Sequence, residues 1–308
     1  MRRLGEGGCA CRVVRIARLA ELEEDIAAQV RSGALSPDVI RERLGFFDFH
    51  PPQGLPRAVS VIVVAMPLPQ SRLVFHWQGN SVQVAVPPAY IFFDSAGRRM
   101  EEILTTILSP AGFHVASVRL PEKLLAARSG LAAYGRNNIT YVPGMGSFLR
   151  LATFFSDLPP ETDHWQEPAM LPRCESCRSC ARACPTSAIP SGRFLLHTER
   201  CLVFHNERPG SIPFPGWIDP AAHGCLVGCL ECQRACPVNR QFLGLVQEVG
   251  KFTEEETALL LDAVPQEKMP PDLVEKLRRT DLLFQFEILS RNLRAVLSKP
   301  AAPMHLPA

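Results

Sequence analysis

The sequence has no run of the ~18 or more apolar residues that a membrane-spanning helix needs. Its longest largely apolar run, Val59 to Met66, has the length and β-branched content of a single buried strand. The basic residues at the N-terminus are followed by Gly-Glu-Gly-Gly-Cys-Ala-Cys, where an export signal would place an apolar core. A cytoplasmic protein with no membrane partner is therefore expected. Charge of one sign is also scarce. The net charge is +2 over 308 residues, so no broad basic field asks for a nucleic acid, although the bulk value leaves room for a local patch. There is no G-x-x-x-x-G-K-[ST] phosphate loop, and no G-x-G-x-x-G fingerprint follows a strand.

What is present is an ordinary globular composition, 46% hydrophobic and 21% charged, with 28 prolines that imply long loops. The length suits about two domains of ~100–200 residues each. Ile16, Leu19, Ile26 and Val30 fall on one face of an amphipathic helix over residues 16–31. Val59–Ala65 reads as a central strand ending at Pro67. Short strands are expected at Gln83–Val86 and Tyr90–Phe93, and helices at Glu101–Leu108 and Pro121–Ala133. Phe148–Phe155 suits a strand covered on both faces. The fold class expected is α+β: a mixed α/β domain over residues 1–156, a proline-rich linker over 157–173, a cysteine-rich module over 174–240, closing helices over 241–298, and a disordered tail over 299–308. In the last helix Leu282, Phe286, Leu289, Leu293 and Val296 make one apolar stripe that packs back on the core.

Nine of the eleven cysteines fall between Cys174 and Cys236. Cys174-Glu-Ser-Cys177-Arg-Ser-Cys180-Ala-Arg-Ala-Cys184-Pro185 is the C-x2-C-x2-C-x3-C-P run of bacterial two-cluster ferredoxins. Its two-residue gaps present three thiolates to one cubane. The fourth cysteine, a helical turn further on, serves the other cluster. Cys229-Leu-Glu-Cys232-Gln-Arg-Ala-Cys236-Pro237 is the reciprocal half without its leading cysteine. One [4Fe–4S] cluster is thus assigned to Cys174, Cys177, Cys180 and Cys236. The other takes Cys184, Cys229, Cys232 and either Cys201 or Cys225. A four-cysteine zinc site does not require this run with a second C-P half, and a disulfide scaffold does not suit a cytoplasmic chain. Cys9 and Cys11 are read as incidental exposed thiols, and His205 and His223 as structural. The glycine-rich segment Tyr134–Ser147 reads as a loop between a helix and a strand. Glycine there could let the backbone approach a flat ligand.

Arg200-Cys201-Leu202, Gly228-Cys229-x-x-Cys232-Gln233-x-x-Cys236-Pro237-x-Asn239, Ala127-Arg128-Ser129-Gly130-Leu131, Gly135-Arg136-Asn137-Asn138 and Gly146-Ser147-Phe148-Leu149 together resemble the epoxyqueuosine reductase family, as does Arg291-Asn292-Leu293-Arg294. The resemblance spans about residues 110–300. It implies a cobalamin-binding N-terminal domain joined to a double [4Fe–4S] module, and a low-potential donor such as ferredoxin or flavodoxin. It favours Cys201 as the eighth ligand and marks Gly135, Arg136, Asn137, Asn138, Gly146 and Ser147 as corrinoid-site residues. The chain departs from the family at its catalytic acid, an aspartate whose place is taken by Ala116, with His114 the nearest substitute on the same face of a strand. Gly-Leu-Gly becomes Gly130-Leu131-Ala132. An iron–sulfur oxidoreductase feeding a corrinoid is therefore expected, with weak activity on epoxyqueuosine. The alternatives are a redox carrier or a corrinoid-handling protein.

Overall fold

The computed structural model describes residues 2–4 and 8–298; the tail expected at 299–308 lies outside the described residues. In chain order the strands are β1 (Arg2–Leu4), β2 (Cys9–Arg15), β3 (Ser60–Pro67), β4 (Gln70–Trp77), β5 (Asn80–Val86), β6 (Val115–Val118), β7 (Ala133–Tyr134), β8 (Thr140–Tyr141), β9 (Leu149–Ser156) and β10 (Val246–Phe252). The helices are α1 (Leu19–Arg31), α2 (Pro37–Arg43), α3 (Phe93–Leu108), α4 (Glu122–Arg128), α5 (Ser179–Ala183), α6 (Leu202–Asn206), α7 (Glu231–Arg234), α8 (Glu254–Leu261), α9 (Pro271–Arg279) and α10 (Phe286–Leu297).

The main sheet has the order β1-β2-β3-β9-β6, with every pairing antiparallel. The two-residue period of β3 sorts its side chains between two cores. Val61, Val63 and Ala65 join α1 and α4 on one face, and Ile62, Val64 and Met66 meet Met100 and Leu104 of α3 on the other. β9 divides likewise and is buried along its whole length, as expected for a strand covered on both sides.

A second sheet, β10-β4-β5, redraws the expected domain boundary. β10 runs parallel to β4, so residues 70–86 leave the first domain and share a core with the C-terminal helices. Phe75 and Phe252 stack there with ring centroids 4.6 Å apart. The stripe expected on the last helix holds: Ile288, Leu289, Leu293 and Val296 are buried in this core. Two local readings are corrected. Tyr90–Phe93 is a turn leading into α3, not a strand, because Pro87 and Pro88 just ahead cannot donate to a ladder. The helix expected to Ala133 stops at Arg128, and Ala133 instead enters β7.

The segment 157–173 is fastened down, not free. The Arg128 guanidinium pairs with Asp25 and Glu167 at 2.6 and 2.7 Å. Trp165 donates to Glu21 and lies under both Arg18 and Arg128. The chain therefore reaches Cys174 along a fixed track across the first domain. Among the described residues no helix is long and apolar enough to cross a membrane.

Candidate functional site

The two cysteine motifs fold as matching halves. Each ends in a short helix, α5 or α7, that packs on its counterpart and stops at a Cys-Pro step. Proline forces its predecessor into extended backbone, and Cys184 and Cys236 both take it (ψ 113° and 122°). That turn carries each fourth thiol away from its own loop and toward the other half.

The buried thiols influence one another electrostatically. Burial, followed by the neighbouring thiols of Cys174, Cys236 and Cys177, raises Cys180. Burial raises Cys201, which also feels Cys184. Burial pushes Cys232 up to about 12, with Cys201 the nearest anionic contributor and Cys184 and Cys180 beyond it. Burial raises Cys229 as well, with Cys225, Cys232 and Cys201 adding to it. Cys180 thus feels its own loop and Cys236, and Cys232 feels Cys201 and Cys184 ahead of Cys180, while Cys229 feels Cys225 ahead of Cys232 and Cys201. Among the described residues no three His, Cys, Asp or Glu side chains close around a single ion.

Cys225 sits differently. It bridges to Ala85 of β5, and the adjacent Leu226 N–H donates to Ala85 O at 3.0 Å, so this cysteine is buried with Phe148 and Leu230 in a small separate core. Cys201 is brought back across 27 intervening residues by the closing helix. Asn292 donates to Asn206 O and Leu226 O at 2.8 and 3.0 Å. Arg291 donates to the carbonyls of Asn206, Pro209 and Ile212. The Arg291-Asn292 motif therefore ties down the excursion between the cysteines at both ends. His205 is buried, with Nε2 against Glu199 O at 2.8 Å and burial lowering its pKa, and His223 packs on Phe214.

The glycine-rich loop clamps the first domain to the cluster module. Arg136 donates to the carbonyls of Cys174 and Cys177. Asn137 is buried and donates to Tyr141 Oη at 3.0 Å and Cys232 O at 3.4 Å. Ser147 N–H donates to Asn239 Oδ1 at 3.0 Å, and its hydroxyl to Gln233 Oε1 at 2.9 Å. A Cβ on Gly135 would stand 2.5 Å from Tyr141, and one on Gly146 (φ +66°) 2.6 Å from Asn239 and 2.8 Å from Phe242. These two glycines thus make room for protein, not for a flat ligand. Beside the loop lies a cavity of about 380 Å³, lined by Leu131, Tyr141, Gly144, Gly146, Val238 and Phe242.

A crevice that the sequence did not reveal opens between α4, the loop after β5 and the end of α6. Tyr90 Oη donates to Glu207 Oε1, and Arg43 holds the other carboxylate oxygen at 3.1 Å. Glu122 pairs with Arg150 at 2.7 Å, whose guanidinium lies 3.9 Å over the Phe93 ring. Lys123 Nζ reaches Asn138 O at 3.4 Å. Solvent still reaches these groups: Glu207 and Glu122 keep 20% and 29% of their side-chain surface, and Lys123 is exposed. Protein nevertheless crowds them enough to raise the pKa of both carboxyls and of Tyr90 and to lower that of Lys123. Tyr90 and Lys123 both lie within electrostatic reach of the Cys201 thiol. No sequence signal joins these residues, because they come from six separate segments. Ala116 is half-buried against the first core, opposite Phe155. His114 is 69% exposed and paired to Asp157 at 3.0 Å.

Residues 173–239 match the family of 4Fe-4S double cluster binding domains. This segment is thus a double [4Fe–4S] module of the two-cluster ferredoxin type within a larger α+β chain. The chain's likeness to epoxyqueuosine reductases holds in sequence and in fold. It is 32% identical over 147 residues to epoxyqueuosine reductase of Pseudomonas aeruginosa, covering 46% of this chain and 39% of that protein. Against the Staphylococcus aureus enzyme it is 30% identical over 169 residues, covering 54% and 38%. The chain thus spans about two fifths of the length of these curated relatives. The solved structure of epoxyqueuosine reductase with an epoxyqueuosine-modified tRNA-Tyr stem loop superposes with a TM-score of 0.64 at 20% identity, over 96% of this chain and 77% of that one. The Streptococcus thermophilus epoxyqueuosine reductase gives 0.62 at 18% identity, over 94% and 76%.

Proposed function

We propose that the chain is an iron–sulfur reductase that carries electrons through two [4Fe–4S] clusters to a corrinoid in the crevice. Cys174, Cys177, Cys180 and Cys236 hold cluster one. Cys184, Cys201, Cys229 and Cys232 hold cluster two. The observation that carries this reading is a crevice walled by proton-bearing groups, two of which, Tyr90 and Lys123, lie within electrostatic reach of Cys201. A carrier that only reduces a partner has no need of such a chamber.

The corrinoid, when bound, supplies the low-potential chemistry at the substrate; the protein orients it and controls protons around it. Asn138 and Lys123 stand at the lip of the crevice and suit a cofactor that carries amides and a phosphate. Gly135, Arg136, Asn137, Gly146 and Ser147 support it from behind by fixing the first domain against both cysteine loops. Glu122, Glu207 and Tyr90 hold protons more tightly than ordinary carboxyls or phenols do, because the charged forms are poorly solvated in the crevice. A carboxyl so placed keeps its proton to higher pH than an ordinary one and can donate it during reduction.

The substrate class is an organic group that takes up electrons and protons together. Epoxyqueuosine in RNA is what the relatives' name points to. With Ala116 at the family's acid position, turnover on it is slower by the ~10²–10⁴-fold that general acid catalysis supplies. The test is paired: cobalamin binding to anaerobic protein by difference spectroscopy, and turnover of epoxyqueuosine-containing RNA with a low-potential donor. A corrinoid spectrum perturbed by wild type and not by Lys123→Glu supports the reading. No perturbation removes the corrinoid and leaves a redox carrier.

A further inference from the structure

The two cysteine sets differ in what surrounds them. Around the second, Leu202, Phe204, Leu226, Val227 and Leu230 are buried, and its open side is the crevice. Around the first, Arg173, Glu175, Ser176, Arg182 and Pro185 are exposed, so the loop bearing Cys174 and Cys177 lies at the protein surface.

That surface is strongly cationic. Arg173 and Arg182 are exposed on this loop. Arg182 donates to Ser179 Oγ at 3.4 Å, beside Cys177 Sγ. Beneath them Arg178 donates to the carbonyls of Cys174, Glu175 and Cys177 at 3.2, 2.9 and 3.0 Å, and Arg136 to those of Cys174 and Cys177. Four guanidinium groups thus converge on one loop. None of them takes part in an ion pair among the described residues, and Glu175 is the carboxylate of the loop itself. Backbone carbonyls satisfy the two inner arginines, which leaves the charge of the outer two unneutralised.

We propose that this arginine face over Cys177 is the docking site of an acidic one-electron carrier protein, so that electrons enter at cluster one and leave from cluster two into the crevice. The inference rests on the reading above only for its clusters; no corrinoid or substrate is required. The step balances simply. The carrier loses one electron, cluster one gains it and passes it to cluster two, and no bond forms or breaks. Charge complementarity brings the carrier in at a steered rate, and the exposure of the loop brings its redox group near the first cluster. RNA is also anionic, but an RNA substrate has to reach the crevice, and cluster one gives it no chemistry.

The experiment is anaerobic stopped-flow reduction of the holoprotein by a reduced acidic flavodoxin, with reduced methyl viologen, a cation, as the second reductant. Raising the ionic strength from low to high should slow flavodoxin by at least tenfold, within the ~10–10³-fold range of electrostatic steering. Arg173→Glu/Arg182→Glu should slow it similarly at low salt while viologen reduces the variant as fast as wild type. Glu175→Lys should accelerate flavodoxin, which keeps the test decisive if the double variant loses iron. Unchanged flavodoxin rates in iron-replete variants would overturn the proposal. So would variants that lose affinity for an RNA stem loop and keep the flavodoxin rate. Absence of clusters in wild type, read from iron content, would instead mark failure of the underlying reading.

Discussion

Asn239 is fully buried and joins the two halves of the molecule. Its Oδ1 accepts from Ser147 N–H at 3.0 Å, and its Nδ2 donates to Ser147 Oγ at 2.7 Å and to Gln233 O at 2.9 Å. Asn239→Ala removes all three bonds at once. Ser147 Oγ keeps its bond to Gln233 Oε1 and the Gln233 carbonyl still accepts from Cys236 N–H at 3.2 Å, but the Ser147 N–H loses its partner inside the interface. An unsatisfied buried group costs about 1–3 kcal/mol. Set against the ~5–15 kcal/mol that holds a typical domain together, such a loss should loosen the glycine-rich loop from the cluster module. The assay is urea unfolding under anaerobic conditions, followed both by far-UV circular dichroism and by the visible absorption of the clusters. The expected result is a much lower midpoint, with the visible band lost at or before the circular dichroism change. A midpoint shift equivalent to less than about 1 kcal/mol, below the lower limit for one orphaned group, would refute the reasoning.

Other outcomes follow from the same geometry. Cys201→Ser should lose about half the iron and Cys225→Ser should keep it all, measured as iron per chain; the reverse pattern would exchange their roles. Gly146→Ala should destabilise by more than the ~1–2 kcal/mol of left-handed backbone strain alone, because its Cβ would also meet Asn239 and Phe242; thermal unfolding of the holoprotein checks this. Burial raises the Glu122 pKa despite Arg150, so the folded state holds that proton more tightly than the unfolded chain. Its contribution to stability is complete below the unfolded value of about 4.3 and is lost as pH rises through the higher folded value. Glu122→Gln should therefore flatten the fall in stability above pH ~4.3, and an unchanged slope would contradict the shift. Lys123→Met removes a positive charge beside Cys201 and Cys232, which should lower the potential of one cluster by about 59 mV, a tenfold change for a one-electron couple. Two unchanged potentials in an EPR-monitored titration would place Lys123 too far away to matter.

The parts of this architecture that were legible in the sequence are those with local periodicity or fixed spacing. β3 and β9 announced themselves as apolar runs, α10 as a stripe, and the cysteine sets as two C-P motifs. The Arg291-Asn292 pair was recognisable as a motif, although its task of holding the Cys201 excursion appears only in three dimensions. β10 was missed because Val-Gln-Glu-Val-Gly-Lys-Phe is short, charged and broken by a bulge near Gly250, and its partner β4 lies about 170 residues earlier. That one parallel pairing moves residues 70–86 out of the first domain. The loop glycines were read as openings for a ligand, yet their space is filled by Tyr141, Asn239 and Phe242. Sequence shows where a side chain is missing but not what occupies its place. The crevice was illegible for the same reason, since Tyr90, Lys123 and Glu207 meet only when separate segments pack together.

The most direct test of the central claim is the iron and sulfide content of anaerobically purified protein, read together with its Mössbauer spectrum. Two cubanes on eight cysteines predict about eight irons and eight sulfides per chain, all in [4Fe–4S] form. A colourless protein holding zinc, or a preparation that saturates at about four irons after full reconstitution, would contradict it.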